Sequence, residues 1–176
     1  MRIILYTLIL LHFLSCNNSK KMNKSGKSFF EFDEVEYFHK DITEDDTYLL
    51  MSNEKKNAYE QNLFDVLIGD FPNSISDSKI SLRIKNAGYA KKKLDKSKLK
   101  SLEEIFIEKE VDEAIFSACI NVYRDVLIFK RKKRVVGVAK ICFDCMAYHI
   151  VGTNANTENF GQGGDYEKLA TILMSK

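Results

Sequence analysis

Two apolar segments on either side of a basic run constrain the fold of this chain most strongly. Residues 122–129 (VYRDVLIF) and 135–143 (VVGVAKICF) are rich in β-branched and aromatic side chains, which favour strands. The run KRKKR at residues 130–134 lies between them and is short enough to form a turn. Residues 126–129 and 135–139 are apolar at consecutive positions, as in strands covered on both faces. The sequence therefore predicts an antiparallel hairpin at the centre of a sheet.

Capping residues and helical periodicity predict several helices packed on this sheet. Thr43 can cap a helix whose first turn holds three acids, which complement the helix dipole. Apolar spacing predicts further helices at about residues 53–68 and 98–106. A final helix over residues 166–174 is expected to follow a cap at Asp165.

The remaining segments of the domain are less regular. Residues 29–39 (FFEFDEVEYFH) alternate between polar and apolar with one slip at Asp33, as a strand with a bulge would. Residues 75–87 have helical spacing with Gly88 as a stop, and residues 89–94 fit either a short strand or a loop. The chain of 176 residues, 45% hydrophobic and 30% charged, thus predicts one α+β domain with a small antiparallel sheet.

The N-terminus has the pattern of an export signal. Arg2 precedes an apolar run at residues 3–14 (IILYTLILLHFL), which as a helix would span roughly 18 Å of the roughly 30 Å bilayer core. A run of this length indicates a signal peptide rather than a membrane span. We therefore assign residues 1–15 to a signal peptide and expect the folded domain to occupy residues 29–176.

The end of the apolar run carries a specific feature, the sequence Phe13-Leu14-Ser15-Cys16. It resembles the lipobox of bacterial lipoproteins, in which the chain is cleaved before the cysteine and the cysteine thiol carries diacylglycerol. Phe13 departs from the leucine usual at that position. The resemblance implies that Cys16 carries lipid such as palmitate, that the polar residues 16–28 form a flexible tether, and that the protein is anchored to a membrane of the bacterial cell envelope. The alternative is an ordinary cleaved signal with an incidental cysteine.

Charge is distributed unevenly although the net charge is only +2, too small to indicate a nucleic-acid partner. Residues 16–70 hold 7 basic and 12 acidic side chains, whereas residues 71–134 hold 16 basic and 9 acidic ones. Two oppositely charged surfaces are expected, either packed against each other or facing different partners. The basic run at residues 130–134 is interpreted as a solvated hairpin tip, the alternative being a patch for anionic lipid.

Three cysteines and one histidine near the hairpin are the side chains most suited to redox chemistry or metal binding: Cys119, Cys142, Cys145 and His149. A thioredoxin-like redox site would place its CxxC at a helix start, whereas this CxxC ends a strand. A metal site for zinc or a softer metal would use all four residues as ligands. The interpretation favoured here is a structural disulfide with one buried free thiol, which suits an oxidising compartment.

The same segment resembles a recurrent pattern in uncharacterised bacterial proteins, a cysteine followed by a hairpin and an Ile-Cys-Phe-x-Cys strand end. Here these are Cys119, residues 122–138, and the segment from Ile141 to Cys145. Many of those proteins have a Pro-x-His sequence soon after the first cysteine, where this chain has Asn-Val-Tyr-Arg. The resemblance implies no known activity, and the missing histidine weakens the metal interpretation.

Pairing along the hairpin identifies which cysteines should be neighbours. With a three-residue loop, Lys130 pairs with Arg134, and the same register carried back along the strands places Cys119 opposite Cys145. A two-residue loop would place Cys119 opposite Met146, and a bulge in the first strand would change the register again. Opposed residues have Cα atoms roughly 4.5–5.5 Å apart, which a disulfide can bridge. We therefore expect these two cysteines to be bonded and the remaining one to be free.

No catalytic constellation is evident in the sequence. The 25 acidic residues offer many carboxylate pairs, but the sequence does not identify which of them converge. His39 has no nearby chemical partner along the chain and is assigned no role. The expected function is that of a non-enzymatic envelope lipoprotein that binds a partner protein or has a structural role, with no cofactor. The alternative is a metal-binding or thiol-redox protein built on the cysteine cluster.

Overall fold

In a computed structural model, which describes residues 26–110 and 119–174, the chain forms the predicted α+β fold. Cys16, the signal peptide and most of the tether lie outside the described residues. Five strands form one antiparallel sheet in the order β2-β1-β3-β4-β5. Their bounds are β1 Glu34–His39, β2 Ala90–Lys92, β3 Asp125–Arg131, β4 Arg134–Cys142 and β5 Ala147–Val151. The predicted hairpin is β3–β4, and it lies inside the sheet as expected.

Helices cover both faces of the sheet. Three of them, α1 (Glu44–Ser52), α2 (Ala58–Leu67) and α3 (Ile80–Asn86), pack with an aliphatic core on one face. On the other face, α4 (Leu99–Ile105) and α5 (Asp165–Met174) pack with an aromatic-rich core. A 3₁₀ turn at Lys96–Lys98 leads into α4. None of the helices in residues 26–110 and 119–174 has the length and apolarity needed to cross a membrane.

The helix starts follow the capping chemistry. Thr43 caps α1 as predicted, because its hydroxyl accepts a hydrogen bond from the backbone N–H of Asp46 at 3.1 Å. The helix expected from residue 53 was placed too early. Asn57 and Glu60 form a capping box that fixes the start of α2 at Ala58, so the residues before it form a loop.

Residues 29–39 form a shorter strand than predicted, because the first part packs elsewhere. The backbone N–H of Phe29 donates to the carbonyl of Phe106 at 2.9 Å, so this part of the segment bonds to the end of α4. The Phe30 ring stacks on that of Phe129 at a centroid distance of 4.6 Å. The Phe30 ring also lies against β4, and residue 137 there must be glycine, because a Cβ at Gly137 would lie 2.1 Å from this ring. Regular pairing starts at Glu34.

The acidic and basic parts of the chain pack against each other, the first of the two predicted alternatives. Glu36 on β1 contacts Lys91 on β2 at 2.5 Å and Lys130 on β3 at 2.6 Å. Burial alone would raise the pKa of Glu36, but hydrogen bonds from these two lysines lower it to about 2. Arg131 likewise pairs with Glu31. Basic side chains from the second part of the chain therefore pair with acids of the first part at β1 and just before it.

Candidate functional site: a buried cluster at the base of the hairpin

The turn between β4 and β5 brings the predicted cysteines together. Cys142 ends β4, and four residues with Met146 at a φ of 47° connect it to Ala147 at the start of β5. Cys145, within this turn, forms a disulfide with Cys119, with Cα atoms 5.9 Å apart. Cys142 is buried and carries a free thiol. The bonded pair and the odd thiol are the ones that the pairing argument predicts.

The register through which that pair was predicted is nevertheless wrong. The loop has two residues, since Arg131 pairs with Arg134, and a bulge after Phe129 then shifts the pairing by one more residue. In addition, β3 begins only at Asp125, so Cys119 is not part of the ladder. Cys119 instead approaches the β4–β5 turn from the segment before β3. The two cysteines are neighbours because the β4–β5 turn contacts the irregular segment before β3. They do not face each other on two paired strands.

That irregular segment is fastened to the end of α2. The backbone N–H of Tyr123 donates to the carbonyl of Leu67 at 2.8 Å, and the carbonyl of Tyr123 accepts from the hydroxyl of Tyr89 at 2.7 Å. The Tyr123 side chain is buried and packs with Cys142 and Cys145 in one cluster. We call Cys119, Tyr123, Lys140, Cys142 and Cys145 the hairpin-base cluster.

Lys140 is the charged member of this cluster and has no exposed surface. Its amino group donates to the carbonyls of Val66, at 3.0 Å, and Gly69, both at the C-terminal end of α2. It also lies 4.4 Å from the centre of the Tyr123 ring. Helix C-termini present unpaired carbonyls and partial negative charge, which a lysine satisfies. Burial lowers the pKa of Lys140 to about 7, although the carboxylates of Asp70 and Asp65 act to raise it.

His149, the fourth predicted ligand, lies on the neighbouring strand. It pairs with Lys140 across β4 and β5, and its Nε2–H donates to the carbonyl of Pro72 at 2.9 Å. Its ring centre is 6.4 Å from that of Tyr123. The histidine is therefore at the edge of the hairpin-base cluster, with one ring nitrogen already bonded to backbone.

The structure does not bring the four predicted metal ligands together as one ligand set. A cysteine in a disulfide has no thiolate to offer a metal, and this removes Cys119 and Cys145 in the bonded state. Cys142 and His149 remain. Within the described ranges, no group of three or more histidine, cysteine or acidic side chains is arranged to hold a metal ion. The chemistry that the geometry does provide is a free thiol packed beside a disulfide.

Sequence reasoning missed Lys140 and Tyr123. Lys140 is the one charged residue within the apolar run VVGVAKICF, and such an interruption of a buried strand is the signal that could have identified it. The role of Tyr123 could not be found in this way, because its contacts are with α2 and the β4–β5 turn, which are distant in sequence.

A second polar group involves His39, which the sequence left without a role. His39 pairs with Asp125 across β1 and β3, and its Nδ1–H donates to that carboxylate at 2.8 Å. The Tyr37 hydroxyl donates to the same oxygen at 2.6 Å. Burial raises the pKa of Tyr37, and the hydrogen bond to the Asp125 carboxylate raises it further. Asp125 is thus a buried acceptor that ties two side chains of β1 to β3.

The predicted hairpin tip, residues 130–134, is engaged largely with nearby acids. Lys132 and Lys133 form the two-residue turn with φ values of 50° and 66°. The carboxylate of Asp33 accepts the backbone N–H of Lys132 at 3.0 Å. The preceding two basic residues, Lys130 and Arg131, form ion pairs with Glu36 and Glu31. The interpretation as a solvated turn is consistent with these contacts.

Comparisons with known proteins give no relative for this fold or site: no protein family, no curated protein and no solved structure is significantly similar to the chain.

Proposed function

We propose that the chain is a lipoprotein of the bacterial cell envelope, held to a membrane by lipid on Cys16, whose domain serves as a binding or structural module. The observation that carries the proposal is the disulfide between Cys119 and Cys145. Disulfides persist in oxidising compartments and are rare in the cytosol, so this bond suits a chain that is exported. The apolar run at residues 3–14 and the cysteine after it fit the signal sequence of an exported lipoprotein.

The contacts of the polar side chains favour a module that does not catalyse a reaction. Lys140 is held by two backbone carbonyls, and His149 is held by a third. His39 is held by Asp125. Each of these groups has a structural partner within the domain, whereas a catalytic acid, base or nucleophile needs a face directed at substrate. These three side chains therefore stabilise the fold, and the proposed partner protein would bind the outer surface of the domain.

The anchor is tested by changing the cysteine that would carry the lipid. Cys16→Ser should abolish incorporation of labelled palmitate and release the protein from the membrane fraction, because the tether would no longer be acylated. Ser15→Ala is the matched control, since it keeps a small residue before the cysteine and should leave labelling unchanged. Membrane fractionation and lipid labelling of the expressed chain measure both. A wild-type chain without lipid, or a Cys16→Ser chain still bound to membranes, would overturn the proposal.

A further inference from the structure

The free thiol of Cys142 and the Cys145 end of the disulfide share one buried environment. Cys142, at the end of β4, and Cys145, in the β4–β5 turn, are three residues apart, and both pack with Tyr123 in a cluster from which solvent is nearly excluded. Thiol–disulfide exchange requires that the attacking sulfur has access to the sulfur it attacks. A thiol held in the same small cluster as one sulfur of a disulfide meets this condition.

The other end of the disulfide lies at the surface. Cys119 is the exposed member of the hairpin-base cluster and is not among the buried residues that pack with Tyr123. Two apolar side chains flank the bond on the outside, Ile120 with 59% of its surface exposed and Met146 with 43%. The disulfide therefore joins a buried cysteine, which shares its cluster with Cys142, to a residue that faces solvent. The two sulfurs are not equivalent as targets or as leaving groups.

We propose that the Cys119–Cys145 disulfide is an exchange site, in which Cys142 is the internal attacking thiol and the free thiol moves between the interior and the surface. The thiolate of Cys142 attacks Sγ of Cys145, and a Cys142–Cys145 bond forms. The bond to Cys119 breaks, and Cys119 leaves as a thiolate that takes up the proton released by Cys142. Each state contains one disulfide and one thiol, so no oxidant or reductant is consumed.

Exchange would create a reactive surface that the bonded state lacks. The Cys119 thiol would be exposed between Ile120 and Met146, an apolar setting suited to a partner protein with an accessible disulfide beside apolar side chains. Its thiolate attacks one partner sulfur to form a mixed disulfide, and the other partner sulfur leaves as a thiolate. This activity goes beyond the proposed binding role and does not depend on lipid at Cys16.

The position of the free thiol can be read directly from the intact chain. A protease that cleaves before aspartate places Cys119, Cys142 and Cys145 on three separate peptides, residues 112–124, 125–143 and 144–164. The full-length chain is treated briefly with N-ethylmaleimide without reductant, acidified, digested and analysed by mass spectrometry. We expect label on the peptide of residues 112–124, at least tenfold faster than on the peptide of residues 125–143, and a bond between the other two peptides. A second sample treated with oxidised glutathione should carry glutathione on Cys119.

Two variants separate exchange from simple exposure of a thiol. In Cys142→Ser the label and the glutathione on Cys119 should disappear, because no internal thiol remains to release it. Cys16→Ser is the control and should leave the distribution of label unchanged. The proposal is overturned if the wild-type chain is labelled only at Cys142 while residues 112–124 stay bonded to residues 144–164. The wild-type distribution decides the question even where Cys142→Ser does not fold.

Discussion

The two ends of the β3–β4 hairpin differ in what their lysines do. At the hairpin tip, two of the five consecutive basic residues are paired with nearby acids, Lys130 with Glu36 of β1 and Arg131 with Glu31 before it. At the base, the single Lys140 is fully buried against the Tyr123 ring, which also packs with Cys142 and Cys145. The exposed pair of Arg131 with Glu31 has small energetic consequences, because exposed ion pairs contribute little to stability. The inconspicuous lysine closes a helix end in the interior, where unpaired groups are costly.

The disulfide at the base should cause the largest difference between the two ends in their contribution to the free energy of unfolding. Replacing Cys119 and Cys145 together with alanine should lower the free energy of unfolding by about 3 kcal/mol, because the bond closes a loop with a sequence separation of 26 residues. Urea denaturation of the oxidised wild type and the double variant measures this loss. Lys133→Ala at the tip is the control and should change stability by less than about 0.5 kcal/mol. Equal effects at the two ends would contradict the comparison.

Lys140→Met tests the buried lysine with a side chain of similar length. The change should cost about 2 kcal/mol at pH 7, since the carbonyls of Val66 and Gly69 lose their donor while the apolar packing is kept. Lys133→Met, the same substitution at the tip, should be nearly neutral. Urea midpoints of the two variants provide the measurement. A nearly neutral Lys140→Met would show that the end of α2 does not need the amino group.

The pH dependence of stability should distinguish Lys140 from the tip lysines. Burial lowers its pKa in the folded chain to about 7 from an ordinary value of 10.5, so between these pH values the unfolded chain binds a proton that the folded chain has released. Unfolding free energy should therefore rise with pH in this window, by about 1 kcal/mol per pH unit relative to Lys140→Met. Urea titrations at pH 7, 8 and 9 measure the difference. Parallel pH profiles for wild type and variant would refute the buried, deprotonated lysine.

The smallest expected effect is a gain in stability when the two turn residues at the hairpin tip are replaced. Lys132 and Lys133 adopt left-handed backbone angles, which an Asn-Gly pair adopts more readily in a two-residue hairpin turn. Replacing Lys132 with Asn and Lys133 with Gly should stabilise the domain by about 0.5–1 kcal/mol. Thermal unfolding of the double variant measures the gain. Unchanged or lower stability would indicate that these lysines contribute contacts that their exposure does not suggest.

Local patterns in the sequence predicted the hairpin and the capped start of α1, because both depend on neighbouring residues. The bulge after Phe129 has no such pattern and was missed, although it shifts every pair below it. The start of β1 was misplaced because Phe29 bonds to Phe106, a contact of long sequence separation. The Cys119–Cys145 pair was identified from the sequence through a register that does not exist. Lys140 and Tyr123 depend on the position of α2, which no local pattern specifies.

The most direct measurement is a count of free thiols in the protein isolated from membranes and unfolded without reductant. The chain has four cysteines, one of which would carry lipid while two are bonded to each other. The account therefore predicts one free thiol per chain, whichever of the two disulfide states the molecule occupies. Two free thiols would show that Cys16 carries no lipid on its sulfur. Three would mean that Cys119 and Cys145 are not bonded, which would contradict both the exported location and the chemistry of the hairpin base.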